Sequence, residues 1–129
     1  MNYRVIWKPQ PGFTLLSKPG DAGMQHLRFG MIALEAGQKY NLPAADQETA
    51  LVLLKGAAAL TGSGLERQVI GLRADLFNDK PWTVMVPAQG TLEIEATAEC
   101  ELALCQAPST RPGPALVIPP DKVKEVSLG

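Results

Sequence analysis

Between residues 91 and 104 every second side chain is apolar: Leu92, Ile94, Ala96, Ala98, Cys100, Leu102 and Leu104 alternate with Glu93, Glu95, Thr97, Glu99 and Glu101. Period two is the period of a strand, whose successive side chains point to opposite faces; a helix would scatter the same residues around its whole circumference. One face is therefore expected in a core and the other, lined with carboxylates, in water. The stretch outruns an ordinary strand, so it is read as two strands around a turn near Thr97.

The rest of the chain has to fit around that pair. Twelve Gly and eleven Pro are spread about evenly over 129 residues, which leaves few windows for a helix of three turns and favours many short strands. Strands are expected at 3–8, 13–17, 26–34, 50–54, 66–70 and 82–86. Residues 65–76 could compete as a helix, but Gly71 in their middle costs about 1 kcal/mol relative to Ala there, so they are read as strand and turn. Residues 106–120, with five prolines, are expected as an extended exit segment, followed by a polar tail from Asp121. No internal repeat is found. The length is that of one domain, residues 1–129, with one core, and the strand distribution is that of a sandwich or barrel.

Charge and composition exclude several partners. Twelve Lys and Arg balance thirteen Asp and Glu, a net charge of -1, with no basic block of the kind that neutralises phosphates, so no nucleic acid is expected. The run from Ala50 to Leu54 is far too short for a bilayer, and Arg4 and Lys8 interrupt the amino-terminal apolar residues, so no membrane contact is expected and the chain is read as cytoplasmic. Cys100 and Cys105, on one strand, would stand roughly 16 Å apart on opposite faces, too far for a disulfide; Cys100 reads as a small core residue.

Few residues invite chemistry. A metal centre needs three or four converging His, Cys, Asp or Glu ligands, and the chain has one histidine. His26 lies beside Leu27 and Phe29 on an alternating strand and is expected to face away from them, into solvent or a polar interface. Glu93, Glu95, Glu99 and Glu101 have the spacing of paired glycosidase carboxylates, yet a solvated acidic face accounts for all four, and no catalytic residue is assigned. Gly62-Ser63-Gly64 lacks the strand-to-helix context of a nucleophile elbow and is read as a hairpin turn; Pro87 to Gly90 is read as a turn as well. Glu48, Arg73 and Trp82 are the candidate ligand-binding residues, because an aromatic face and a forked guanidinium suit sugars and carboxylates. Their plainer reading puts Trp82 in the core and Arg73 on the surface.

The order of the turn residues resembles that of a cupin. Gly37, Glu48 and Gly56 approximate the first cupin motif, and Pro87 with Gly90 the second. More specifically, the chain is similar to the amino-terminal half of the 5-deoxy-glucuronate isomerases, two-cupin sugar isomerases of myo-inositol breakdown related to the deoxy-hexosulose-uronate ketol-isomerases. The residues that carry this are Asp21-Ala22-Gly23, Leu27-x-Phe29, Leu34-x-x-Gly37, Glu48-x-x-Leu51-Val52-Leu53-Leu54-x-Gly56, Phe77-x-x-x-Pro81, Val84-x-Val86-Pro87, Ala107-Pro108 and Ile118-x-Pro120-x-x-Val123.

The resemblance implies an all-β, single cupin-type double-stranded β-helix, a jelly-roll barrel. It also implies where metal-binding histidines would stand, and there the chain has Pro43, Ala45 and Glu93. In such isomerases the metal belongs to the second cupin, so no cofactor is expected here. The implied role is a structural or small-molecule-binding module, with a homodimer or a second cupin subunit as partner and a small sugar acid as ligand. The alternative is a subunit of a sugar-uronate aldose-ketose isomerase, or such an isomerase itself.

Overall fold

The computed structural model describes residues 12–17, 27–73 and 80–122. The strand expected at 3–8, His26, Phe77 and the end of the tail lie outside them. In chain order the described strands are β1 (Gly12–Ser17), β2 (Arg28–Leu34), β3 (Lys39–Leu42), β4 (Gln47–Gly62), β5 (Leu65–Arg73), β6 (Thr83–Val86), β7 (Leu92–Ala96), β8 (Cys100–Pro108) and β9 (Leu116–Ile118), with a short 3-10 turn at Pro120–Lys122. Among the described residues no helix is long and apolar enough to cross a membrane.

Two antiparallel sheets share β4. The first runs β1-β2-β8-β4-β6-β9; in the second β4 lies between β5 and β7, and β7 pairs with β3. Up to Lys55, β4 pairs with β6 and β8, and from Gly56 onward with β5 and β7. The change of sheet is made by a bulge and a glycine. Between Leu53 and Lys55, β4 advances two residues while β8 advances one, and an extra residue of this kind bends and re-aims a strand. The residues that β4 gives to the core cluster accordingly change from Leu51 and Leu53 to Ala58 and Leu60, with Ala57 beside them and Ala59 between them buried as well.

At Gly56 the backbone has φ 85°, and a Cβ there would run into the Glu99 carbonyl and stand 2.8 Å from Cys100 Cα. Only glycine meets both demands. Gly71 answers from β5, where a Cβ would lie 2.6 Å from the Gly56 carbonyl oxygen. The strand expected at 50–54 is thus the first part of a much longer one; Lys55-Gly56 and the alanines after it read as a break because such residues are poor strand formers.

Between the sheets lies the core. Register places Leu104 opposite Gly30 and Leu51, and Leu102 opposite Ile32 and Leu53, while the second sheet offers Ile94 opposite Tyr40 and Leu60, and Ala58 opposite Ile70. The alternating stretch 91–104 divides as expected into β7 and the start of β8, with the turn at 97–99 fastened by the Thr97 and Ala98 amides donating to the Ala57 carbonyl at 3.1 and 3.3 Å. Ser63 (φ 47°) and Gly64 (φ 91°) form the β4-β5 hairpin turn, a two-residue turn of the twist that hairpins prefer. Pro87 to Gly90 is also a turn, closed by the Gly90 amide on the Pro87 carbonyl at 3.1 Å. Within the segment 106–120, the first residues complete β8 and residues 116–118 form β9 beside β6.

Gly37 has nearly the same positive φ as Gly56, 88°, but a Cβ placed on it would meet nothing within 4 Å. Replacing each by Ala separates backbone strain from collision. Gly37→Ala should cost about 1 kcal/mol and Gly56→Ala roughly 3 kcal/mol or more, read as urea midpoints at constant slope; equal losses would refute the crossing geometry.

Candidate functional site

Glu48, Arg73 and Trp82 do not form one site. Glu48 is exposed and lies out of step with the buried Thr49 and Leu51 on β4. Arg73, expected on the surface, is 5% exposed, and its Nη1 donates to the Leu53 carbonyl at 2.6 Å. The Leu53 amide in turn donates to the Trp82 carbonyl at 2.9 Å, and the Trp82 side chain packs against the core, as its plainer reading had it. Arg73 and Trp82 thus meet on the two backbone groups of one residue, where β5, β4 and the entry to β6 are tied together. Glu48 stands five residues back along β4, roughly 16 Å in an extended strand.

The acidic face is a set of cross-strand ion pairs. Lys39 Nζ lies 3.6 Å from Glu93 and 3.8 Å from Glu95, and Arg67 Nη1 lies 3.0 Å from Glu95. Glu99 of the β7-β8 turn and Glu101 of β8 share Lys55 at 3.3 and 3.7 Å. The hydrogen bond from Arg67, with Lys39 adding its charge, holds the Glu95 carboxyl below its ordinary range, and the bond to Glu99, with the nearby Glu101 charge, raises the Lys55 ammonium. Each carboxylate is committed to a cation on the outer face.

A different group of polar residues faces inward. In register, Arg28 of β2 stands opposite Gln106 of β8, and Gln106 opposite Thr49 of β4. Cross-strand partners share a face. Gln106 and Thr49 are buried, and Gln106 Nε2 donates to Thr49 Oγ1 at 3.0 Å. The Arg28 Nε is buried with no hydrogen-bond partner, while its guanidinium lies over the Phe13 ring, 5.7 Å from the centroid. Phe13 sits against Gly30, where a Cβ would meet the ring at 2.5 Å, and stacks on Tyr40 with centroids 5.9 Å apart. Burial raises the Tyr40 hydroxyl above its ordinary pKa, and the nearby Arg28 charge opposes the rise.

Five strands therefore each bring one residue to the end of the core: Phe13, Arg28, Tyr40, Thr49 and Gln106. The sequence reading missed this group, although a signal existed. Gln106 continues the apolar series Cys100, Leu102, Leu104, and Thr49 begins the series Leu51, Leu53, so each is a polar residue at a core position.

A metal, which the cupin resemblance raises, does not fit the donor set. The buried polar side chains among the described residues are Thr49, Arg73 and Gln106, and no three His, Cys, Asp or Glu of the described residues gather at one point. Glu93, at the position of an expected histidine, is on the outer face beside Lys39; its inward neighbour is Leu92.

Comparison with known proteins agrees with this architecture. A crystal structure of an RmlC-like cupin with a double-stranded β-helix fold from Methanocaldococcus jannaschii superposes with a TM-score of 0.58 at 17% identity, over 80% of this chain and 86% of that one. The chain thus has the cupin fold, two facing jelly-roll sheets. More specifically, residues 7–129 match the KduI/IolB family model, and the chain belongs to that family. It is 40% identical over 115 residues to the 5-deoxy-glucuronate isomerase of Geobacillus thermodenitrificans and 41% over 116 residues to that of Geobacillus kaustophilus, each alignment covering 88% of this chain and 42% of the relative. The crystal structure of an IolB-like protein from Salmonella typhimurium gives a TM-score of 0.80 at 29% identity, over 90% of this chain and 44% of that one. The chain spans about two-fifths of the length of these relatives.

The free thiols differ in their surroundings: Cys100 is buried and Cys105 half-buried. Burial, with the Glu101 and Glu99 charges adding to it, pushes the Cys100 thiol from 9.0 up to about 11. The folded state holds that proton more tightly, so the contribution to stability is full below pH 9.0 and is lost as pH rises through about 11. Urea midpoints measured across this alkaline window should fall more steeply for the natural chain than for Cys100→Ala; parallel curves would contradict the assignment.

Proposed function

We propose that the chain is a non-catalytic cupin module of the KduI/IolB family, which works by association with a second cupin and by holding a small sugar acid. The observation that carries this reading is the composition of the space between the sheets. Ile32, Leu51, Leu53, Leu60, Ile70, Ile94, Leu102 and Leu104 fill it, all at most 1% exposed, and the buried polar side chains among the described residues, Thr49, Arg73 and Gln106, include no carboxylate or imidazole. Proton transfer beside a carbonyl needs a base within hydrogen-bond reach and an electrophile to hold the developing charge. Glu48 is on the outside of β4 and Glu93 is paired with Lys39.

The similarity to 5-deoxy-glucuronate isomerases supports a place for this chain as a subunit of a sugar-uronate aldose-ketose isomerase whose metal is held elsewhere. The cytoplasm is the compartment we assign, in keeping with two unpaired thiols. For the partner, the edge strand β9 is the contact element we favour, since Leu116 is 58% exposed there, and a homodimer is the expected state of the chain by itself.

The test is an assay with 5-deoxy-glucuronate and added divalent metal, run on the chain alone and then with a metal-holding cupin from the same genome. Turnover is expected only in the mixture. Turnover by the chain alone that disappears in Glu48→Gln would overturn the module reading.

Light scattering at micromolar concentration should give twice the mass of one chain, and Leu116→Lys should return it to a monomer. A monomeric natural chain would remove β9 as a self-association edge.

A further inference from the structure

A buried guanidinium N–H without an acceptor is costly, and native folds rarely keep one without a reason. Arg28 keeps one at the end of the core. Among the described residues its charge faces the Phe13 ring and the Tyr40 hydroxyl and takes part in no ion pair. The carboxylates of the acidic stripe are engaged on the outer face with Lys39, Lys55 and Arg67. Beside it, the Gln106 amide spends one N–H on Thr49 Oγ1. That bond leaves the Gln106 carbonyl oxygen and the Thr49 hydroxyl hydrogen available, an acceptor and a donor on the face that Arg28 shares.

We propose that Arg28, Gln106 and Thr49, with the stacked Phe13 and Tyr40 rings, form a binding site for a small hydroxylated carboxylate. A guanidinium receives a carboxylate best through two parallel N–H bonds, and using Nε for one of them satisfies the orphaned group. Hydroxyls of the ligand meet Gln106 and Thr49, and its carbon skeleton lies against the aromatic pair. Mostly apolar walls with a few placed polar groups are the usual composition of a small-molecule site. These residues are distinct from Glu48, Arg73 and Trp82. The proposal deepens the small-acid part of the module reading, and only the choice of a uronate as probe rests on the family; the site rests on its geometry.

The experiment is calorimetric titration of the full chain with D-glucuronate, D-glucose and acetate, the last two carrying only the hydroxylated ring or only the carboxylate. Saturable binding of glucuronate is expected, with acetate at least tenfold weaker and glucose giving no heat of binding. Arg28→Gln should weaken glucuronate at least tenfold, and Lys55→Gln, on the outer face, should leave it unchanged. Arg28→Lys, which keeps the charge but loses the fork, should weaken it several-fold; it decides the matter if circular dichroism shows Arg28→Gln unfolded. No saturable binding of glucuronate, or undiminished binding by both Arg28 variants, overturns the site. Acetate bound as tightly as glucuronate overturns the part given to Gln106 and Thr49. A chain that isomerises 5-deoxy-glucuronate unaided would sink the module reading without touching these titrations, so the two failures are told apart.

Discussion

One strand has to belong to two sheets, and the fold depends on the place where it changes over. β4 carries the first sheet through β6 and β8 and the second through β5 and β7, so both layers are hung on it. A flat sixteen-residue strand would hold its neighbours in one plane. The extra residue after Leu53 turns the side chains over, and Gly56 lets the backbone pass against Glu99 and Cys100 where a side chain has no room. The Ala57 carbonyl then receives the amides of the β7-β8 turn, which fixes the two alternating strands of the core to the point of the bend.

Once β4 is bent, parity decides what each residue can do. Thr49 is inside and Glu48 outside; Leu92 is inside and Glu93 outside. The period-two pattern makes the layered β class, the division of 91–104 and the outward placement of the glutamates legible in the residues alone, because burial of one face leaves its period in them. It does not reveal β3, four residues long with charged and amide groups alternating around Tyr40 and Leu42, nor the second part of β4, whose Gly and Ala residues suit close approach and have low strand preference. Arg73 escapes it for another reason. A buried arginine is rare, and the carbonyl of Leu53 that makes its burial tolerable lies twenty residues away in sequence.

The carboxylate stripe shows the same dependence on long-range pairing. Glu93 and Glu95 on one strand, or Glu99 and Glu101 at the turn into the next, would repel along the chain. Strand order puts Lys39 and Arg67 on either side of the first pair and Lys55 across from the second. These pairs are exposed, and their value is less in stability than in keeping the outer faces of both sheets charged. Facing outward and held by these cations, the carboxylates of the stripe form no ion pair with the arginine at the end of the core.

The edges left open among the described strands complete the physical picture. β9 is only three residues long, and Pro114, Pro119 and Pro120 flank it, so its exposed row of backbone groups is short and interrupted, a form that blunts indiscriminate pairing. β5 is the longer edge, with Val69 and Leu72 facing solvent at 48% and 73%, and its ladder with β4 shifts register twice, with Arg67 and Gly71 both at positive φ. A strand so irregular offers a poor template for a further strand even though two of its exposed side chains are apolar. The short pairing edge and the exposed apolar side chains are therefore separate features of this fold: β9 can extend a sheet over a short length, and Val69 and Leu72 of β5 can be covered without extending one.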